Sequence, residues 1–477
     1  MLEKIDNIKI ENYDHVIIGT GPAGITLALK LKKNIKKKIL LIEAGNFDYD
    51  EKSQEYYKGE VLNNCNLKKL HHSRIRAFGG TSMVWGGMCK ELDEVDFNEW
   101  PIEKNDLINY KDEARKILLI DRKYLKDKFI SKNIKLVDFQ WSEPTARFNE
   151  FYKDEILNDK KIDLLIETAA IRVEGKKNLD ILELYDHKHN RYHKIKPTNV
   201  ILACGAIENS RILLYSQAKS KFSFLNDLKI GKNYLIHPHY IVGRSLVEMK
   251  KIKEILDKNY MNKEMFFLAP TKDFILKNKI GNICIRIQIN KYPHKTKEII
   301  KDLLCVAPEY AKRIASLGKK KIDCANIKFF SSWEVLPNNN NYIELDENNL
   351  DDLGIPRVKI FANLEENVKI TLKTFIEEIG KFFIDKEIGR VSVRNFFYSG
   401  DYIWPEDGYG GSHEMGGTKM GDTNKDSVVD KDLKVHGINN LYVLGSSIFP
   451  TAGHANPTFT ICQLALRLGD HLKNKIS

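Results

Sequence analysis

Short apolar runs and stretches of helical spacing alternate along the first part of the chain. Tyr13-Asp14-His15-Val16-Ile17-Ile18 is an apolar run that stops at Gly19, the pattern of a strand buried on both faces. Ile25, Leu27, Ala28, Leu29 and Leu31 then fall at helical spacing and predict a helix over 25–33. Ile39-Leu40-Leu41-Ile42 reads as a second buried strand, closed by Glu43. The three form a β-α-β unit, which implies a parallel sheet with a right-handed crossover.

Two later stretches repeat the strand-Gly-helix order. Asn199-Val200-Ile201-Leu202-Ala203 precedes a helical stretch from Glu208 to Ser216, and Asn440-Leu441-Tyr442-Val443-Leu444 precedes one from Thr458 to Lys473. One sheet is therefore assembled from three remote parts of the chain. The region 246–405 differs in texture. Alternation in Asn282-Ile283-Cys284-Ile285-Arg286-Ile287-Gln288-Ile289 predicts antiparallel strands with one wet face, and Asn338-Asn339-Asn340-Asn341 reads as a turn. The expected organisation is α/β. A Rossmann-like nucleotide-binding domain over 1–245 (with substrate-side insertions near 100–160) resumes at 406–477. Between its parts, at 246–405, lies an inserted α+β substrate domain built on an antiparallel sheet.

Composition narrows the function. The 477 residues, 42% hydrophobic and 30% charged, suffice for substantial cores. Net charge is 76 − 65 = +11. The lysine clusters 36–38, 250–251 and 319–321 are dispersed and not interleaved with aromatics. They read as solvated surface rather than a nucleic-acid groove, with an anionic substrate as the minor alternative. Seven cysteines, at 65, 89, 204, 284, 305, 324 and 462, include no CxxC and no zinc-type Cys/His spacing, so no metal is expected and the thiols read as reduced. The N-terminus is charged, without an apolar h-region, and no run of 18 apolar residues occurs. A cytoplasmic protein with no membrane span is expected.

Chemistry begins at Gly19-Thr20-Gly21-Pro22-Ala23-Gly24. In this turn Gly19 permits the tight bend, Gly21 lets backbone approach a pyrophosphate, and Gly24 lets helix and strand pack closely. The first helical N–H groups then face the phosphates. Glu43, 19 residues after Gly24, is placed to accept hydrogen bonds from ribose hydroxyls. These features mark a dinucleotide site without separating NAD from FAD.

Near the C-terminus, Ser412-His413-Glu414-Met415-Gly416-Gly417-Thr418 is followed by Gly445-Ser446-Ser447 and Ala455-Asn456-Pro457-Thr458. Oxidising an alcohol by hydride loss needs a neutral base for the hydroxyl proton, which imidazole provides near neutral pH. It also needs an uncharged donor to hold the oxygen, which an amide provides. His413 and Asn456 are candidates for that pair, although His413 by residue type alone also fits an ordinary core histidine.

Taken together, these segments resemble the glucose-methanol-choline (GMC) oxidoreductase family, most of all its pyranose-oxidase-like and bacterial sugar or polyol dehydrogenase branches. The similarity runs over 13–45, 76–102, 199–214, 230–242 and 413–472. It extends loosely to Trp333-Glu334-Val335-Leu336-Pro337 and Asp352-Leu353-Gly354-Ile355-Pro356. The resemblance implies FAD as cofactor, with His413 and Asn456 as the catalytic pair. It also implies that Gly445 and Ser446 approach the pyrophosphate and ribityl chain, and that Asn456, Pro457 and Thr458 meet the flavin edge. Ala203 and Gly205 fall in the family's second signature, against the adenosine half, and Ala170 on a strand near the adenine. Gly79, Gly80, Thr81, Ser82, Trp85 and Gly86 form a glycine-rich loop suited to close approach to a flat ring. Pyranose-oxidase-like members carry a flavin-linked histidine in this loop. Val84 stands there instead, so the FAD is expected to be held non-covalently.

The implied activity is oxidation of an alcohol, on a sugar, sugar derivative or other polyol, by hydride transfer to flavin N5. The electron acceptor is open between oxygen and a separate redox protein, and a lyase on the same fold is the other alternative. His454 is a substrate-pocket candidate, while His237-Pro238-His239 is read as structural and His71-His72 as surface.

Overall fold

The computed structural model describes residues 1–63, 67, 69–220, 225–290, 324–398, 409–410 and 412–476. The lysine run 319–321, Cys65, Cys305 and the parts of the inserted region at 291–323 and 399–405 lie outside the described residues.

Strand β1 (Tyr13–Ile18) turns into α1 (Pro22–Leu31) and returns as β2 (Lys38–Ile42). Later come β3 (Ile162–Leu165), β4 (Val200–Leu202) and α2 (Gly205–Lys219). The chain then builds β5 (Pro238–Glu248), β6 (Met265–Pro270), β7 (Ile283–Asn290), β8 (Cys324–Trp333) and α3 (Glu366–Asp385). It closes with β9 (Leu441–Val443) and α4 (Thr458–Ile476).

The first sheet runs β9-β4-β1-β2-β3, with every pairing parallel. Ile17 lies between Leu41 on β2 and Ile201 on β4, and all three are fully buried. That double coverage is why these strands read as continuous apolar runs. Helix α4 packs along α1 at a close approach, where a Cβ on Gly469 would lie 2.4 Å from Lys30 Cγ. The α/β fold assembled from discontinuous segments is thus as expected.

The second layer is antiparallel. Strands β5, β8, β7 and β6 are neighbours in that order, extended by Ile134–Leu136 and Lys128–Phe129. One face carries Ile283, Ile285, Ile287, Ile327 and Phe329, which share a core with Leu372, Phe375, Ile376 and Ile379 of α3. The sequence predicted that the opposite face would be wet, and it is so in part, with Gln288, Asn326 and Lys328 half-buried there. Cys284 is buried there in a cluster with Val137, Phe139 and Phe267, and Arg286 is only half exposed. His239, aligned with Cys284 through Ser332 of β8, lines a cavity shared with the nucleotide-binding turn. The alternation is real, and its polar face borders the cleft between the two layers at the His239 end. Residues 338–341 form the expected turn before the strand Tyr342–Leu350.

Candidate active site

A cavity of about 570 Å³ is lined by Gly19, Thr20 and Gly21 of the first turn and by His239, His413 and Asn456. Gly19 has φ 103°, and its N–H donates to the Ile42 carbonyl at 2.7 Å. A Cβ on Gly24 would sit 1.9 Å from the Gly19 carbonyl oxygen, so this glycine sets helix-to-strand packing and does not itself line the cavity. Gly21 caps α1 without a side-chain hydrogen bond, leaving first-turn N–H groups turned toward the cavity. The Glu43 carboxylate accepts from Thr20 N (3.1 Å), Thr20 Oγ1 (2.5 Å) and Gly45 N (2.9 Å). A carboxylate has about four lone-pair sites, so Glu43 arrives oriented, with capacity left for a hydroxyl.

The glycine-rich loop docks on this turn. Gly79 N–H donates to the Thr20 carbonyl at 3.0 Å, while Gly80, Thr81, Ser82, Trp85 and Gly86 line the cavity. Ser82 Oγ donates to the Gly79 carbonyl (2.6 Å) and accepts from Phe148 N (3.1 Å). Trp85 Nε1 donates to the Ala146 carbonyl at 3.0 Å. Ala170, Ala203, Gly205, Gly445, Ser446, Pro457 and Thr458 also line it. At Gly21, Gly86 and Gly205 an added Cβ would meet nothing within 4 Å. Those cavity-lining glycines leave open space of the kind a dinucleotide carrying a flat ring system fills. The residues present therefore fit FAD.

Two lining residues, Tyr56 and His187, had no signal in the sequence, whereas Arg76 opens the segment of the glycine-rich loop. Tyr56, Arg76 and His187 border the cavity. The Arg76 guanidinium lies 2.9 Å from His187 Nε2, which must therefore accept. Burial, with the Arg76 charge, holds the His187 ring down to about 4, and so neutral. His187 meets the other two only in three dimensions, from more than 100 positions away.

His413 is partly buried and lines the cavity beside Asn456 and His239. Its Nδ1 is 3.1 Å from His237 Nδ1, with the rings edge to face at 5.2 Å, and the His239 ring is 5.9 Å away. Burial, then His237 and His239, holds the His413 pKa well below the usual imidazole range. Burial likewise brings His237 down to about 4 and His239 to about 3. The His-Pro-His segment, read from sequence as structural, thus belongs to the site. Its x-Pro-x spacing at the start of β5 puts both rings on the cleft end of the strand, a signal that could have been weighed. Among the described residues no group of three or more His, Cys, Asp and Glu could hold a metal ion.

His454 is not brought to the cavity. It is fully buried, 6.0 Å ring to ring from Phe139, with Nδ1 3.9 Å from Asp93 Oδ2. Burial takes its pKa down to about 3. The backbone bends between 454 and 456, so the two side chains part. Just before it, Ala452 N and Gly453 N both donate to Glu334 Oε1 at 3.1 Å. Asp96 packs against the same loop, since a Cβ on Gly453 would lie 2.5 Å from its Oδ2. Burial, reinforced by Asp93 and Glu334, raises the Asp96 carboxyl, and burial raises Glu334. Two buried acids thus support the loop from behind.

Residues 337–465 match the GMC oxidoreductase family and residues 13–229 the pyridine nucleotide-disulphide oxidoreductase family. The chain is 24% identical over 342 residues to the fructose dehydrogenase large subunit of Gluconobacter japonicus, covering 69% of this chain and 57% of that protein. It is 30% identical over 303 residues to the 2-methyl-1,2-propanediol dehydrogenase of Mycolicibacterium austroafricanum, covering 61% of this chain and 50% of that one. The chain therefore spans about half of each relative's length. Among solved structures, pyridoxine 4-oxidase from Mesorbium loti superposes with a TM-score of 0.65 at 14% identity, covering 96% of this chain and 99% of that one. At that identity the likeness is one of fold.

Proposed function

Because the chain belongs to the GMC oxidoreductases and its cleft is an FAD site, we propose that it oxidises an alcohol to a carbonyl, with a sugar, sugar derivative or other polyol as substrate. The observation that supports this is that His413 and Asn456 line the same cavity as the nucleotide-binding turn and the glycine loop, with His413 held neutral by burial. When bound, FAD supplies the hydride acceptor at its N5. The chain supplies the rest. His413 takes the hydroxyl proton, and the Asn456 amide donates to the substrate oxygen as negative charge develops there. The Gly19–Gly24 turn and the open N-terminus of α1 hold the pyrophosphate, and Glu43 a ribose hydroxyl. Val84, 65% exposed on the cavity wall, cannot bond covalently to a flavin, so denaturation is expected to release all the FAD into the supernatant. Flavin remaining on the precipitated polypeptide would reverse that assignment.

Substrate class is tested by anaerobic bleaching of the bound flavin with D-glucose, D-fructose, D-sorbitol, glycerol and 2-methyl-1,2-propanediol. Bleaching by at least one, with a carbonyl product, is expected. No bleaching by any of them would favour the lyase reading of the fold. A second reading, a dehydrogenase that hands electrons to a separate redox protein, draws support from one relative's being a large subunit. Slow reoxidation of the reduced enzyme in air, but fast reoxidation by a soluble dye, would support it. The four cysteines whose pairing is described, Cys89, Cys204, Cys284 and Cys462, are free thiols, which suits a cytoplasmic setting.

A further inference from the structure

His237 touches the cavity only through His413, yet its position decides what His413 can do. A neutral imidazole carries one proton on one of two nitrogens. In a His–His hydrogen bond one ring must donate and the other accept. Here the two Nδ1 atoms face each other at 3.1 Å, so Nδ1 of one ring holds its proton and Nδ1 of the other does not.

We infer that His237 is a positioning residue that fixes the tautomer of His413: His413 donates from Nδ1 to Nδ1 of His237, which leaves its remaining nitrogen, Nε2, bare to receive the substrate proton. This rests on the proposed alcohol oxidation. Three observations support it. The bond is partly buried, with His237 fully inaccessible, so water is kept from the His237 ring. The Gly453 and Ala452 backbone lies beside the His237 ring and favours a proton on it. With His237 Nδ1 occupied as an acceptor, that proton belongs on Nε2, which makes no regular hydrogen bond among the described residues. Lastly, the loop that presents this backbone is held through its own N–H groups by Glu334 at 3.1 Å, so Glu334, loop, His237 and His413 form one stack. The opposite arrangement, with His237 donating, would leave His413 with Nε2–H and unable to accept a proton there.

The test is the ¹⁵N spectrum of the holoprotein labelled at histidine, with His413 assigned by comparison with the His413→Ala protein. The wild type is expected to show His413 protonated at Nδ1 and unprotonated at Nε2. The His237→Ala protein should show a mixture of tautomers, and His237→Asn, whose side-chain oxygen can still accept, should restore the wild-type pattern. An Nε2–H tautomer in the wild type, or an unchanged spectrum in His237→Ala, would overturn the inference. Should His237→Ala not fold, the wild-type spectrum decides alone. This readout needs no substrate, so it stands apart from whether any alcohol reduces the flavin. With an alcohol from the panel that does, His237→Ala should slow flavin reduction at saturation at least ten-fold with little change in the concentration for half-saturation. His237→Asn should recover most of the rate. Equal loss in both variants would mark a merely structural role.

Discussion

His413 is a histidine whose ordinary pKa of about 6.5 is pushed down by burial and by two neighbouring imidazoles. A group with a lowered pKa stays unprotonated to more acid pH, so the base is in working form throughout the neutral range. The acid limb of kcat/KM should therefore fall below pH 6.5, and a limb centred at or above it would contradict the burial argument. Removing the base, in His413→Ala, should leave FAD bound while slowing flavin reduction by about 10²- to 10⁴-fold, measured by stopped flow. Wild-type reduction in that variant would end the assignment. His15 shows the same physics without a function. It is buried on β1, and among the described residues neither ring nitrogen has a hydrogen-bond partner. Burying an unpaired polar group costs stability, so His15→Leu should be neutral or stabilising at pH 7 by chemical denaturation.

At the scale of elements, the β1-turn-α1 unit was legible because its requirements are local. Strand burial, helical spacing and three glycines all lie within one short stretch of chain, and the tight contact of Gly24 with Gly19 is what the glycine pattern implies. Gly24→Ala would force that contact apart. Overpacking of this kind costs about 1–3 kcal/mol, and the turn that shifts is the one facing the pyrophosphate. The variant should purify largely without FAD and melt lower than apo wild type. A variant that retains FAD at wild-type affinity would show the close approach to be dispensable. The antiparallel layer was legible as strands but not as surfaces. Alternation says that two faces differ, and does not say what lies against the polar one. Here it is the cleft and a small apolar cluster.

Across the whole molecule, several histidines are neutral in the fold. Burial lowers His15 and His237 to about 4, and His239 and His454 to about 3. In the unfolded chain each protonates near 6.5. Between those values the unfolded state binds more protons, so stability is full above pH 6.5 and is lost as pH falls toward 4. Thermal unfolding of the holoprotein should show a steep drop in Tm across that window. His15→Leu should make the drop shallower, since that group alone contributes roughly 3 kcal/mol at 1.4 kcal/mol per pKa unit. A Tm flat from pH 7 to 5 would mean that these rings are hydrated in solution.

The sequence by itself determined the nucleotide turn, the parallel strands and helices around it, and His413 and Asn456 as the residues of interest. Each depends on spacing within one segment or on motifs in order along the chain. Only the tertiary structure decided which histidines attend the base. His237 and His239 come from a segment some 175 positions before His413 and meet it because β5 starts at the cleft. His454, two positions from Asn456, turns away into the core. Proximity along the chain fixes backbone geometry over a few residues, whereas the surroundings of a side chain are set by which layers close over it.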